Sequence, residues 1–343
     1  MQSELWSLGW TQFWRSVIPS RVHFLSRGFS AGSRRAATGI SSPEMSMPSE
    51  NQAHGTERGR AIRLSADDRH DFLTAWLEVH GAAGQRLRNL LERWDGCGAW
   101  WYLQPEKTEE GENTTALTAA LHVASSATGY KLHLFSLANP QSADFLLRRA
   151  LPPGDVAAGR RGVMFAALDA SLLPVAAAYF DDAGLTDSWT EPCGMFAWDT
   201  QPDQLGNEDV TRLTVEDAEL INEHWTYKSE TSLELVRHLL RAGAGGWGAR
   251  VQGRLASWCL FYEDGAWGMM HTLEAYRRRG LGRRLVAAML REAQKDDAQL
   301  RKKPFCFIVE GNTASERLFT SLGFRHVARV AWTGARPRKV EAD

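Results

Sequence analysis

Hydrophobic and polar positions divide the chain into two stretches of alternating helix and strand patterns. In the first, Phe72, Leu73, Trp76 and Leu77 recur at helical spacing behind Ser65 and Asp67, which read as a cap with an acid in the first turn. Leu87, Leu90, Leu91 and Trp94 predict a second helix. Apolar runs at 99–103, 132–135 and 163–167 predict strands, and Ser142 is placed to cap a helix reaching Leu151. Residues 170–177 fit either a helix or a strand.

A polar stretch at 201–207 containing Pro202 and Gly206 separates this from a second alternating region. There Thr214 opens a helix through Leu220 and Ile221, and Ser232 opens another with Leu235, Val236, Leu239 and Leu240 on one side. Strands are predicted at 248–251, 255–262 and 267–273, the last two joined by the tight turn Glu263-Asp264-Gly265. A helix with Leu285, Val286, Met289 and Leu290 inward follows, then a strand at 305–309, a helix at 314–322 and a final strand at 325–332.

The 343 residues suggest two domains. The expected division is a disordered segment at 1–43, a linker at 44–60, an N-terminal α/β domain at 61–205, a second domain at 206–335 and a tail at 336–343. Net charge is −1, which gives no global attraction to nucleic acid or an anionic membrane, so any anion site must be local. The four cysteines form no C-x-x-C pair, which argues for reduced, buried thiols and against a zinc site or a disulfide framework. With 14 tryptophans, core and cleft walls rich in indole are expected.

Residues 1–43 hold Arg15, Arg21, Arg27, Arg34 and Arg35 against a single acid, Glu4. An amphipathic, Arg-rich and Ser-rich start predicts a mitochondrial transit peptide, with Arg27 three residues before a processing cut after Phe29. A plain basic tail is the alternative.

The chemistry concentrates at Tyr276-Arg277-Arg278-Arg279-Gly280-Leu281-Gly282-Arg283-Arg284, between a predicted strand and helix. Glycine permits a tight turn and close ligand approach. The helix start aims free N–H groups at the loop, and five arginines add charge, a combination suited to a pyrophosphate. After the next strand, Asn312 opens a helix that ends in Leu322-Gly323-Phe324.

This order of strand, phosphate loop, helix, strand, Asn-initiated helix and strand resembles the GNAT acyltransferase superfamily. That resemblance implies an α/β (α+β) fold whose C-terminal domain has a mixed, mainly antiparallel central sheet, preceded by a divergent, GNAT-like N-terminal domain. It implies acyl-CoA or acetyl-CoA as co-substrate. Thr272 and Leu273 would lie along the pantetheine; Arg277, Arg278, Arg279, Gly280, Leu281, Gly282, Arg283 and Asn312 would form the rest of the cofactor site. The segments 217–225, Ala256-Ser257-Trp258 and 272–277 further resemble the glycine N-acyltransferase family. Its members transfer an acyl group from CoA to the amine of glycine or another amino acid and are typically mitochondrial.

Two positions depart from that pattern. The family's general-base Glu aligns with Ala266, and the Tyr that serves many GNATs as an acid aligns with Phe319, which reads as core. Glu263 and Asp264 are expected to serve the turn and face water, and Glu274 to be exposed. His271, one residue before the pantetheine-lining strand end, is the candidate catalytic base, its ordinary pKa near neutrality suiting the task. A hydrogen-bonded packing role for His271, and a water relay with no dedicated base, are the alternatives. The competing functions are acetyl transfer to another small amine or a protein N-terminus, and CoA binding without turnover. Balanced charge argues against nucleic-acid binding.

Overall fold

The computed structural model describes residues 59–64, 82–92, 98–105, 118–125, 129–136, 139–199, 210–228, 232–241, 245–295 and 303–337. The expected transit peptide, the expected linker up to residue 58, the polar stretch at 201–207 and the predicted helix at Phe72–Leu77 lie outside them; Gly59 and Arg60, expected in the linker, instead open a strand.

The first half runs β1 (Gly59–Arg63), α1 (Ala82–Glu92), β2 (Ala99–Pro105), β3 (Ala119–Ser125), β4 (Gly129–Ser136), α2 (Pro140–Ala150), α3 (Pro153–Gly159), β5 (Gly162–Asp169), α4 (Leu173–Asp182) and β6 (Leu185–Trp198). The second runs β7 (Thr211–Arg212), α5 (Ala218–Glu223), α6 (Ser232–Arg241), β8 (Gly246–Val251), β9 (Arg254–Phe261), β10 (Trp267–Thr272), α7 (Leu281–Lys295), β11 (Phe305–Val309), α8 (Thr313–Thr320) and β12 (Phe324–Pro337). Each half thus has four strands, a helix, a strand, a helix and a closing strand, with extra helices inserted at different places. The fold is mixed α and β, as the sequence predicts.

Among the described residues the strands form a single sheet in the order β1-β2-β3-β4-β5-β12-β6-β11-β10-β9-β8-β7. Two pairs are parallel, β4 with β5 and β10 with β11, each crossover being made by a helix. The closing strands are exchanged. β12 pairs with β5 of the first half, and β6 pairs with β11 of the second. The two 14-residue strands also pair with each other along nearly their whole length, from Phe324↔Trp198 to Pro337↔Leu185.

Local sequence accounts for the element ends. Asn139, not Ser142, caps α2: its Oδ1 accepts the Ser142 N–H at 2.8 Å, and Pro140 occupies the first helical turn. Thr214 and Asp217 form the reciprocal box that opens the short 3₁₀ turn before α5. The core divides by half, with Leu121, Leu132, Leu146, Phe165 and Tyr179 in one cluster and Leu285, Val286, Leu290, Phe319 and Phe324 in another.

α1 closes the first half where β4 and β5 diverge. Arg86 donates to the carbonyls of Ala167 and Ala166 at 2.7 and 3.1 Å and to Asp264 at 3.2 Å, between the rings of Phe135 and Phe307. Asn89 donates to the Asp264 carbonyl. The 263–265 hairpin is therefore buried between the halves and does not face water. Asp264 is 4% exposed, and Glu263 meets Lys131 of β4.

Candidate active site

β10 and β11 share the register pair Trp267↔Cys306 and then diverge. A cavity of about 250 Å³ lies beyond it. One part of its wall comes from α8 and its cap, with Asn312, Ser315 and Phe319. Another comes from His224, Trp225 and Tyr227 after α5 and from Trp189, Glu191 and Trp332 on the exchanged strands. Exchange thus delivers first-half residues, Glu191 and Cys193 among them, into a second-half cleft.

The β10 wall is bulged. Gly268 faces Leu260 and His271 faces Trp258, so β10 has one more residue than β9 between these pairs, and Met269 takes φ +49°. The Tyr262 ring lies against Gly268, where any Cβ would come within 2.0 Å of it. Gly268 is therefore obligatory for this packing. The bulge interrupts the ladder on the cavity wall, which is how a strand presents backbone donors to a ligand.

His271 lines the cavity, stacked against His224 at 5.2 Å and against Trp258 at 5.1 Å between ring centroids. Burial lowers its pKa, and the neighbouring charges of His224 and Arg277 lower it further. The imidazole is consequently neutral at pH 7 and able to accept a proton. Ala266 is fully buried, packed with Ala167, Met195, Phe305 and Val330. It forms no part of the cavity wall. Phe319 is buried as expected, edge-on to Phe324, with one side on the cavity. Glu274 is exposed.

The cysteine thiols of the described residues, Cys193, Cys259 and Cys306, are free and buried. Burial pushes those of Cys193 and Cys259 up to about 12, which makes them poor nucleophiles. Among the described residues no group of three or more His, Cys, Asp or Glu is placed to hold a metal ion, and no helix is long and apolar enough to cross a membrane.

The basic loop follows β10. Thr272 bonds Ser257 through their hydroxyls at 2.8 Å, and Leu273 N–H donates to the Ala256 carbonyl, so the strand end is held rigidly. Arg277 turns back to the Thr272 carbonyl at 3.0 Å, Arg279 lies over the Tyr276 ring, and Arg278 takes φ +57°. Gly280 has φ +75° with open space where a Cβ would stand. Its carbonyl accepts the Arg284 N–H, so the N–H groups of Leu281, Gly282 and Arg283 begin α7 without an intrahelical acceptor. Gly282 lies against Met270 and Thr272. These features fit a pyrophosphate. Arg283 instead reaches Ser321 at 2.6 Å, tying α7 to the end of α8. Asn312 Oδ1 accepts the Ser315 N–H and caps α8.

Residues 246–333 match the family model described as FR47-like protein. The matched segment carries the basic loop, the bulged strand and part of the cavity wall. Among solved structures, a Drosophila melanogaster protein is 19% identical, with 82% of this chain and 100% of that chain covered at a TM-score of 0.64. A tandem GNAT protein from the clavulanic acid biosynthesis pathway is 15% identical, covering 83% and 100% at 0.48. A GCN5-related N-acetyltransferase from Sphaerobacter thermophilus is 14% identical, covering 82% and 96% at 0.47. No curated protein matches the chain.

Of the residues assigned to the site from the sequence, Asn312 and His271 line the cavity, whereas Thr272, Leu273 and the basic loop lie outside its wall. Sequence reasoning did not find Lys131, nor the pairing of Glu191 with Trp332 beside Trp189, which depends on strand exchange. The tryptophan content was the one signal pointing to such a wall.

Proposed function

We propose that the protein is a CoA-dependent N-acyltransferase acting on a small amine. The observation that carries this reading is a cavity lined together by the Asn312 cap, the bulged strand β10 with His271, and a polar and aromatic wall, with the basic loop following directly on that strand. Acyl-CoA would place its pyrophosphate on the N–H groups of residues 281–283 and its pantetheine along Thr272 and Leu273. The acceptor would enter from the side of Trp225 and Tyr227.

In the reaction the amine nitrogen attacks the thioester carbonyl, a C–N bond forms and the C–S bond breaks. His271 takes the proton shed by the amine, and CoA leaves as a thiolate, which needs no strong acid. The absence of an acid at Phe319 is compatible with this, and the place of His271 on the cavity wall supports it as the base. The resemblance to glycine N-acyltransferases supports glycine or another amino acid as the first acceptor class to examine. The Arg-rich segment 1–43 supports a site of action in the mitochondrial matrix.

Thiol release from acetyl- to benzoyl-CoA, with glycine, other amino acids and simple amines as acceptors, tests the reading. Release that requires both substrates supports it. CoA binding without release for every pair would leave a CoA-binding protein without turnover.

A further inference from the structure

One part of the cavity surrounds a carboxylate with aromatic faces. Glu191 on β6 stands directly across from Trp332 on β12. Trp189 lies two residues earlier, hence on the same face of the strand. Trp225 and Tyr227 complete the wall, with centroids 6.3 Å apart and rings at 78°. The four aromatic side chains pack around the buried Met164, and all four line the cavity together with Glu191.

Among the described residues the Glu191 side chain forms no hydrogen bond or ion pair. Burial raises its pKa, and its charge, after burial, contributes to holding the Tyr227 phenol up at about 12. A half-buried carboxylate without a cation is costly. Aromatic faces add attraction for a positive group and none for an anion. Lys131 is the one lysine or arginine in the described cavity wall, and its Nζ lies 3.2 Å from both Glu263 oxygens. A substrate carboxylate would therefore meet Glu191 with its natural counter-charge already engaged.

We propose that this part of the cavity binds a positive group of the acceptor on the Glu191 carboxylate, within walls formed by Trp189, Trp225, Tyr227 and Trp332, and that the preferred acceptor is a small diamine without a carboxylate. The inference rests on the N-acyl transfer reading. One nitrogen stays at Glu191 as an ammonium ion. The other loses its proton and attacks the thioester, giving a mono-acylated diamine and CoA.

The test compares 1,4-diaminobutane, n-butylamine and glycine in the thiol-release assay, in the intact protein and in Glu191→Gln and Tyr227→Leu. The diamine should be used best, and Glu191→Gln should raise its KM on the order of tenfold with a smaller change in kcat. Tyr227→Leu should raise the same KM while leaving the charge in place. Preference for glycine, unaffected by Glu191→Gln, would overturn the inference and leave N-acyl transfer standing. If no acceptor supports release, N-acyl transfer fails, and calorimetric binding of tetramethylammonium decides the cation site separately. Binding to the intact protein that weakens in Glu191→Gln retains it; binding that is absent or equal in both removes it.

Discussion

Lys131 and Glu263 form an ion pair across the two halves of the chain, with Nζ 3.2 Å from each carboxylate oxygen and side-chain exposures of 8% and 19%. They also line the cavity, so the contact that joins the halves borders the site. Burial acts to raise the Glu263 pKa, but the Lys131 charge, with smaller contributions from hydrogen bonding and His238, leaves it below its ordinary value. Removing one partner strands the other in a poorly solvated place. Lys131→Met is expected to cost about 3 kcal/mol in urea unfolding, and Lys131→Met with Glu263→Leu clearly less, because no buried charge is then left alone.

His133 gives the fold an acid sensitivity. It is fully enclosed, with Lys131, His122 and Arg86 nearby; burial first, then those charges, lowers its pKa well below 6.5. The unfolded chain therefore binds a proton that the folded chain refuses as pH falls below 6.5, and stability declines in that direction. Glu263, with its pKa held below the ordinary 4.5, adds a further loss in more acidic solution as the folded carboxylate is protonated. Melting temperature should fall from pH 7.5 to pH 5.5, and a folded His133→Leu variant should show a flatter dependence over that interval.

Gly280→Asp should weaken CoA binding at least tenfold in isothermal titration while the protein stays folded. A Cβ at this position meets nothing within 4 Å, so steric damage is absent and the cost to stability is that of a non-glycine residue at φ +75°, about 1 to 2 kcal/mol. The new carboxylate would stand where the pyrophosphate approaches the start of α7. Unchanged affinity in the folded variant would remove the loop from the cofactor site.

His271→Ala should reduce kcat/KM by a factor of about 10² or more, the contribution expected of a positioned base. Because burial lowers the pKa of His271, the acidic limb of the kcat/KM profile in the intact protein should fall below pH 6.5. The variant should lose that limb. A slower enzyme with an unchanged profile would assign His271 to packing against Trp258 and His224.

The second half was legible in the sequence because its signals are local. The loop at 276–284, the Asn312 cap, Gly323 and the 263–265 turn all declare themselves within a few residues, and the strands around them alternate clearly. The first half was less legible. β3 has small residues, Ala119, Ala120 and Ala124, and β6 carries Asp187, Glu191 and Pro192, so neither stands out as an apolar run. The hairpin acids were expected in water because such acids usually serve a turn. Their buried partners, Arg86 and Lys131, lie 178 and 132 residues away and carry no local trace. The sequence also explains why the cleft lies in one half. The segment before α2 reads Ser136-Leu137-Ala138-Asn139-Pro140, without glycine or arginine, and Arg86 fills the divergence of β4 and β5.

The exchange of β6 and β12 sets an order on the protein's biosynthesis. While the ribosome is still making the second half, β5 has no neighbour on one side, and its partner emerges only with residues 324–337. The first half therefore waits, with an open hydrogen-bonding edge, for nearly the last part of the chain. Such an edge is a place for mispairing during translation, and a premature stop before residue 324 would leave both halves unfinished rather than one.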